Sequence, residues 1–131
     1  MIILDASFLI AQLDSADLHH ARATQFLDEV NGIDEVMWGA SPITLAEVLV
    51  RPARAGLLHA ASTAVQRLGV DVVALTPDAP KQLAELRAST GLRMPDCCVL
   101  LALEQVGGEL ATFDERLAAA ARDQGYEVRM G

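Results

Sequence analysis

Four carboxylates stand where an ionised group is costly. Asp5 ends the apolar run "MIILD", Glu47 interrupts "ITLAEVLV", Asp96 opens "DCCVLLAL" and Asp114 follows "ELATF". Taking a carboxylate out of water costs on the order of several kcal/mol unless something pairs with it. Carboxylates gathered together also repel one another, so a cluster of them calls for a cation or for shared protons. Magnesium suits such a set, because it takes hard oxygen ligands, keeps several waters and is held by a few carboxylates plus a substrate phosphate. Zinc does not suit it: Cys97 and Cys98 are adjacent, and His19, His20 and His59 have no ligand spacing.

Each acid also has an ordinary reading. Alone, Asp96 reads as a helix N-terminal acid favoured by free amides and the helix dipole, and Asp114 has the same explanation ahead of "ERLAAAA". Asp5 after a buried strand is harder to explain that way. Glu47 is harder still, because a helix interior offers no free amides; its alternative is an ion pair with Arg51, four residues on. One shared site accounts for all four acids together. Ser7 and Thr112, each two residues from an acid, are placed to hydrogen-bond a ligand carboxylate, or else serve as turn hydroxyls. Arg51, Arg54 and Arg93 lie near Glu47 and Asp96 in sequence and are candidates for contacting RNA phosphates, with plain solvation the alternative. His19 and His20 read as a solvated pair, Trp38 as core, and the cysteines as small buried hydrophobes rather than a disulfide.

Positioning these residues falls to alternating elements. "MIILD" has the continuous apolar character of a central parallel strand, with "VMWGAS", "VDVVAL", "ELATF" and an edge segment "YEVRM" as further strands. Helical spacing fills the intervals, and Ser41-Pro42 and Thr76-Pro77 both read as a capping residue followed by a helix-starting proline. Arg51-Pro52 is expected to interrupt its helix, and Gly69 and Gly91 to end theirs. Strand-helix alternation implies a three-layer α/β/α domain with a mostly parallel central sheet. The carboxyl ends of such strands share one edge, which is where Asp5 and Asp114 belong and where Glu47 and Asp96 can join them.

A chain of 131 residues, 52% hydrophobic and 21% charged, fits one globular domain spanning 1–131. No segment has the apolar length of a membrane span, and the N-terminal run lacks a basic leader, so the cytoplasm is the expected location. The net charge of -8 excludes nucleic-acid binding by a broad basic face. A cation held on the acids removes that objection locally.

Taken in order, "LDAS", "ITLAEVLVRP", "MPDCCVLLAL" and "LATFDERL" resemble the PIN-domain ribonucleases and, among them, the VapC-like toxins of type II toxin-antitoxin pairs. The resemblance runs the length of the chain. It implies metal ligands at Asp5, Glu47, Asp96 and Asp114, a hydroxyl beside the first strand at Ser7 and another before the last acid at Thr112. Some members carry a further acid one turn beyond, where this chain has Leu117. The resemblance further implies an Mg2+- or Mn2+-dependent endoribonuclease, a homodimer, and a cognate antitoxin whose C-terminal segment blocks the acids. Two other readings compete. A receiver-like phosphoacceptor module requires a lysine near the acids, and Lys81 is the only lysine; a catalytically silent PIN-like interaction domain requires that no metal bind.

Overall fold

The computed structural model describes residues 1–33 and 36–130. Five strands, β1 (Ile2–Leu4), β2 (Trp38–Ala40), β3 (Val70–Val72), β4 (Glu109–Ala111) and β5 (Val128–Arg129), form one sheet in the order β3-β2-β1-β4-β5, with every pairing parallel. The helices are α1 (Ala6–Leu13), α2 (His20–Asn31), α3 (Pro42–Arg54), α4 (Leu58–Arg67), α5 (Ala79–Thr90), α6 (Met94–Val106) and α7 (Glu115–Asp123). This is the expected three-layer arrangement. It differs from a receiver module, whose order of 2-1-3-4-5 places the switch elsewhere.

The central strand shows why both faces are covered. Ile2 and Leu4 point into a core with Phe8 and Leu9 of α1, Phe26 of α2 and Val48 of α3. Ile3 points the other way, against Leu100 and Leu103 of α6 and Leu117 of α7. Strand side chains alternate, so a three-residue apolar strand can stand at the centre only with a layer on each side. Right-handed crossovers assign the layers: the chain moves from β1 through β2 to β3 with α1 to α4 on one face, then returns to β4 and β5 with α5 to α7 on the other. At their carboxyl ends β1 and β4 lie side by side, Leu4 opposite Ala111, and their chains diverge in opposite directions. A crevice opens at that switch point.

Local rules hold at most helix ends. Ser41 caps α3 by accepting from the Ile43 amide at 3.2 Å, with Pro42 in the first turn. Two expectations fail. Helix α3 passes through Pro52 and ends at Arg54, because a proline in the last turn leaves only the Val48 carbonyl without its usual donor. The α5 start lies past Thr76-Pro77: those residues form a turn, in which the Ala79 amide bonds the Thr76 carbonyl at 3.0 Å, and Pro80 takes the first-turn position. Among the described residues no helix is long and apolar enough to cross a membrane.

Strand β4 docks on β1 through a close backbone approach at Gly108, where an added Cβ would collide with the Met1 carbonyl oxygen. The adjacent Glu109 amide donates to that same carbonyl at 3.1 Å, so the collision falls on the bond that sets the β1–β4 register. Gly108→Ala is therefore expected to lower stability by about 1–3 kcal/mol, read as a drop in the urea midpoint with unchanged slope.

Candidate active site

Asp5 is the residue that closes β1 and starts α1. Its side chain caps α1 by accepting from the Phe8 amide at 3.0 Å, and it accepts from Ser7 Oγ at 2.8 and 2.9 Å and from Thr112 Oγ1 at 2.6 Å. Both hydroxyls also hold the turn that follows β4. Ser7 Oγ accepts from the Phe113 amide at 3.0 Å, and Thr112 Oγ1 accepts from the Asp114 amide at 2.9 Å. Each hydroxyl thus spends its proton on Asp5 and its lone pair on the β4–α7 turn. Asp114 in turn caps α7, accepting from the Arg116 and Leu117 amides at 2.9 and 3.0 Å.

Asp96 sits in the first turn of α6, the third element to begin at this edge. The ordinary reading holds for Asp114, which is a capping carboxylate; Asp5 is unexpectedly another, whereas Asp96 lies in its helix's first turn with no side-chain hydrogen bond among the described residues. Glu47 is exposed, one and a half turns into α3; of the aliphatic residues beside it in sequence Val48 is buried, while Ala46 and Val50 are exposed with it. The alternative for Glu47, an ion pair with Arg51, does not form. The one ion pair among the described residues joins Arg129 and Glu109 at 2.9 Å, on the strands.

Electrostatics tie the acids together. Burial pushes the Asp5 carboxyl above the ordinary carboxylate range; the bonds from Thr112, Phe8 and Ser7 pull it down, and the Asp114 charge adds to the rise. Asp96 is also raised, first by burial, then by Asp114, with Arg93 opposing, Glu47 raising further and Arg116 opposing. Among the described residues no three His, Cys, Asp or Glu side chains converge into a ready cage. The acids share a field rather than a coordination sphere. Their chemistry nonetheless fits a hard divalent ion that keeps several waters: every donor is a carboxylate oxygen, and none is taken by an ion pair. Asp5 is held by three donors through four contacts, two on each oxygen, which fixes the direction in which its carboxylate would face a cation. Leu117 is fully buried against α6 and supplies no ligand.

The three arginines named from sequence are placed unequally. Arg93 immediately precedes α6 and acts on Asp96, while Arg51 shares with Glu47 the wall of a groove between α1, α3 and α4. Arg54 lies about 10 Å farther along α3 than Glu47, at seven residues of 1.5 Å rise, away from the acids. Arg116 had no sequence signal: its Nη2 donates to the Gly91 carbonyl at 3.2 Å, pinning the loop before α6 to α7 across 25 positions. His19 is exposed, as its reading as solvated implies, but it is not free. Its ring stacks on Phe113 at 4.3 Å and 5°, and Phe113 stacks on Phe8 at 5.8 Å and 5°. His20 instead has Nδ1 2.8 Å from the Ala11 carbonyl, Trp38 is core, and both cysteines are free and buried.

The family model described as PIN domain matches residues 2–123. Among solved structures the chain is similar to Mycobacterium tuberculosis VapC20, described as a sarcin-ricin loop cleaving toxin, with a TM-score of 0.73, 22% identity, and 92% of this chain and 95% of that one covered. It is also similar to a toxin-antitoxin complex from Klebsiella pneumoniae (TM-score 0.72, 22% identity, 91% of each chain). A third likeness is to PAE2754 from Pyrobaculum aerophilum (TM-score 0.64, 20% identity, 99% and 83% covered). No curated protein matches significantly.

The two raised carboxyls are expected to behave oppositely when neutralised. In EDTA, Asp96→Asn removes a repelled charge with no hydrogen bond to lose, so the melting temperature should hold or rise. Asp5→Asn gives up charge-assisted bonds and should cost about 1.5–3 kcal/mol. Because the folded Asp96 binds its proton more readily than an unfolded carboxyl, its penalty is full above the raised value and fades as pH falls through it. The stability gap between Asp96→Asn and the parent chain should therefore narrow on acidification, as followed by thermal melts from neutral pH downward.

Proposed function

This chain belongs to the PIN-domain family, and from that premise we propose that it is a divalent-metal-dependent endoribonuclease, the VapC-like toxin of a toxin-antitoxin pair. The observation that carries the reading is Asp96: a half-buried carboxylate at the switch-point crevice, raised first by burial and then by Asp114 and Glu47 against the pull of Arg93 and Arg116, and in no ion pair among the described residues. In this reading Asp5, Glu47, Asp96 and Asp114 hold one or two Mg2+ or Mn2+ ions. Such an ion, when bound, supplies Lewis-acid polarisation of the scissile phosphate and a lowered pKa for the attacking water.

The chain's own groups do the positioning. Thr112 and Ser7 fix both oxygens of Asp5, and through their lone pairs fix the backbone that carries Asp114. Arg93 and Arg51 offset the acids' field where an RNA phosphate approaches; Arg54 is too far along its helix to share that role directly. In-line attack by water leaves a 3′ hydroxyl and a 5′ phosphate. A groove of ≈ 510 Å³, with Ile10, Leu13, Val48 and Leu57 in its walls and Glu47 beside them, supports an antitoxin segment lying across the acids. Exposed Ile43, Val50 and Leu58 on the same helix pair support a homodimer. A silent interaction domain is the weaker reading, since it leaves the raised acids without a cation.

RNA cleavage decides the matter. Activity is expected with Mg2+, none with EDTA, and a fall of more than about 100-fold in Asp96→Asn. Thr112→Val, which keeps the shape and loses the hydroxyl, should cost about 10–100-fold in metal affinity or activity. Cleavage indifferent to EDTA and to Asp96→Asn would sink the proposal.

A further inference from the structure

We propose that His19, stacked on Phe113, is a nucleobase-binding ledge at the rim of the acidic site; this rests on the nuclease reading above. Phe113 lies between Thr112, which bonds Asp5, and Asp114, and its own amide is held by Ser7 Oγ at 3.0 Å. Its ring carries His19 at 4.3 Å with the planes 5° apart. Beneath it the rings continue inward: Phe113 on Phe8, Phe8 edge-on to Phe26 at 5.8 Å, and Phe26 edge-on to Trp38 at 6.0 Å. Phe8 is fully buried. The column is therefore anchored in the core and ends in an exposed histidine whose ring lies flat on Phe113.

An exposed histidine held flat by a core-anchored ring has already lost the freedom that stacking would otherwise cost, which is the requirement for a preorganised platform. Unstacked bases of single-stranded RNA bind by stacking on aromatic side chains, histidine included. The surroundings select a base over a phosphate. The His19 amide donates to Asp17 Oδ1 at 2.8 Å, and Asp14 lies in the same turn, so two carboxylates of this loop oppose an anion. A nucleotide whose phosphate meets the acids beside Phe113 can set a neighbouring base on His19.

The test is binding of a single-stranded oligoribonucleotide carrying 2-aminopurine, followed by fluorescence quenching in Ca2+, with steady-state cleavage in Mg2+ measured in parallel. His19 caps α2 without a side-chain hydrogen bond, so His19→Ala gives up only the stack on Phe113 and should lower the melting temperature by a few degrees at most, leaving the fold intact. Affinity is expected to fall about 5- to 150-fold in His19→Ala, with loss of quenching, and KM to rise with little change in kcat. His19→Tyr should restore both. RNA binding that is unchanged in His19→Ala overturns the ledge, as does absence of RNA binding by the parent chain. So does an effect confined to association with a protein partner. Quenching that depends on His19 in a chain that never cleaves RNA would uphold the ledge while refuting the nuclease.

Discussion

A buried carboxylate at the end of the central strand is the constraint on which the rest of the site depends. Asp5 is 4% exposed, and an unsatisfied charge at that depth would be prohibitive. Three donors make it tolerable, and two of them, Ser7 and Thr112, are hydroxyls whose remaining lone pairs hold the turn after β4. The cost of burying one acid is thus met by a clasp that also fixes where the next acid stands. Asp114 inherits its position from Thr112, and α7 inherits its start from Asp114.

Topology then adds the other two acids. Parallel strands end along one edge, so each helix leaving that edge begins near the crevice between β1 and β4. Helix α6 delivers Asp96 in its first turn, steadied by Arg116 and Arg87 on the Gly91–Leu92 loop, and α3 delivers Glu47 farther in. The resulting repulsion is what a cation would relieve. Asp5 and Asp96 are raised by burial in the first place, and the neighbouring acids add to the rise against the donors and arginines that oppose it.

Much of this was legible in the residues, for reasons that differ from element to element. Strand β1 was readable because a run buried on both faces has no polar face to preserve, and α3's start because Ser41-Pro42 satisfies an orphan amide and pre-sets the backbone. Pro52 misled because the rule against interior proline weakens in a last turn. Thr76-Pro77 misled because a second proline three residues on, Pro80, takes the first-turn position behind Asp78. At the site, acids in apolar contexts marked the right positions, but which of them were caps could not be read without knowing the donors. Arg116 and His19 were missed since each acts across a tertiary contact with Gly91 or Phe113, and such contacts leave no local pattern.

The central claim is that these acids are one cation site. Anomalous diffraction from crystals soaked in Mn2+ tests it most directly. The account predicts a manganese peak in the crevice bounded by the carboxylates of Asp5, Glu47, Asp96 and Asp114. Manganese bound only elsewhere on the molecule, with that crevice empty at saturating Mn2+, would contradict it.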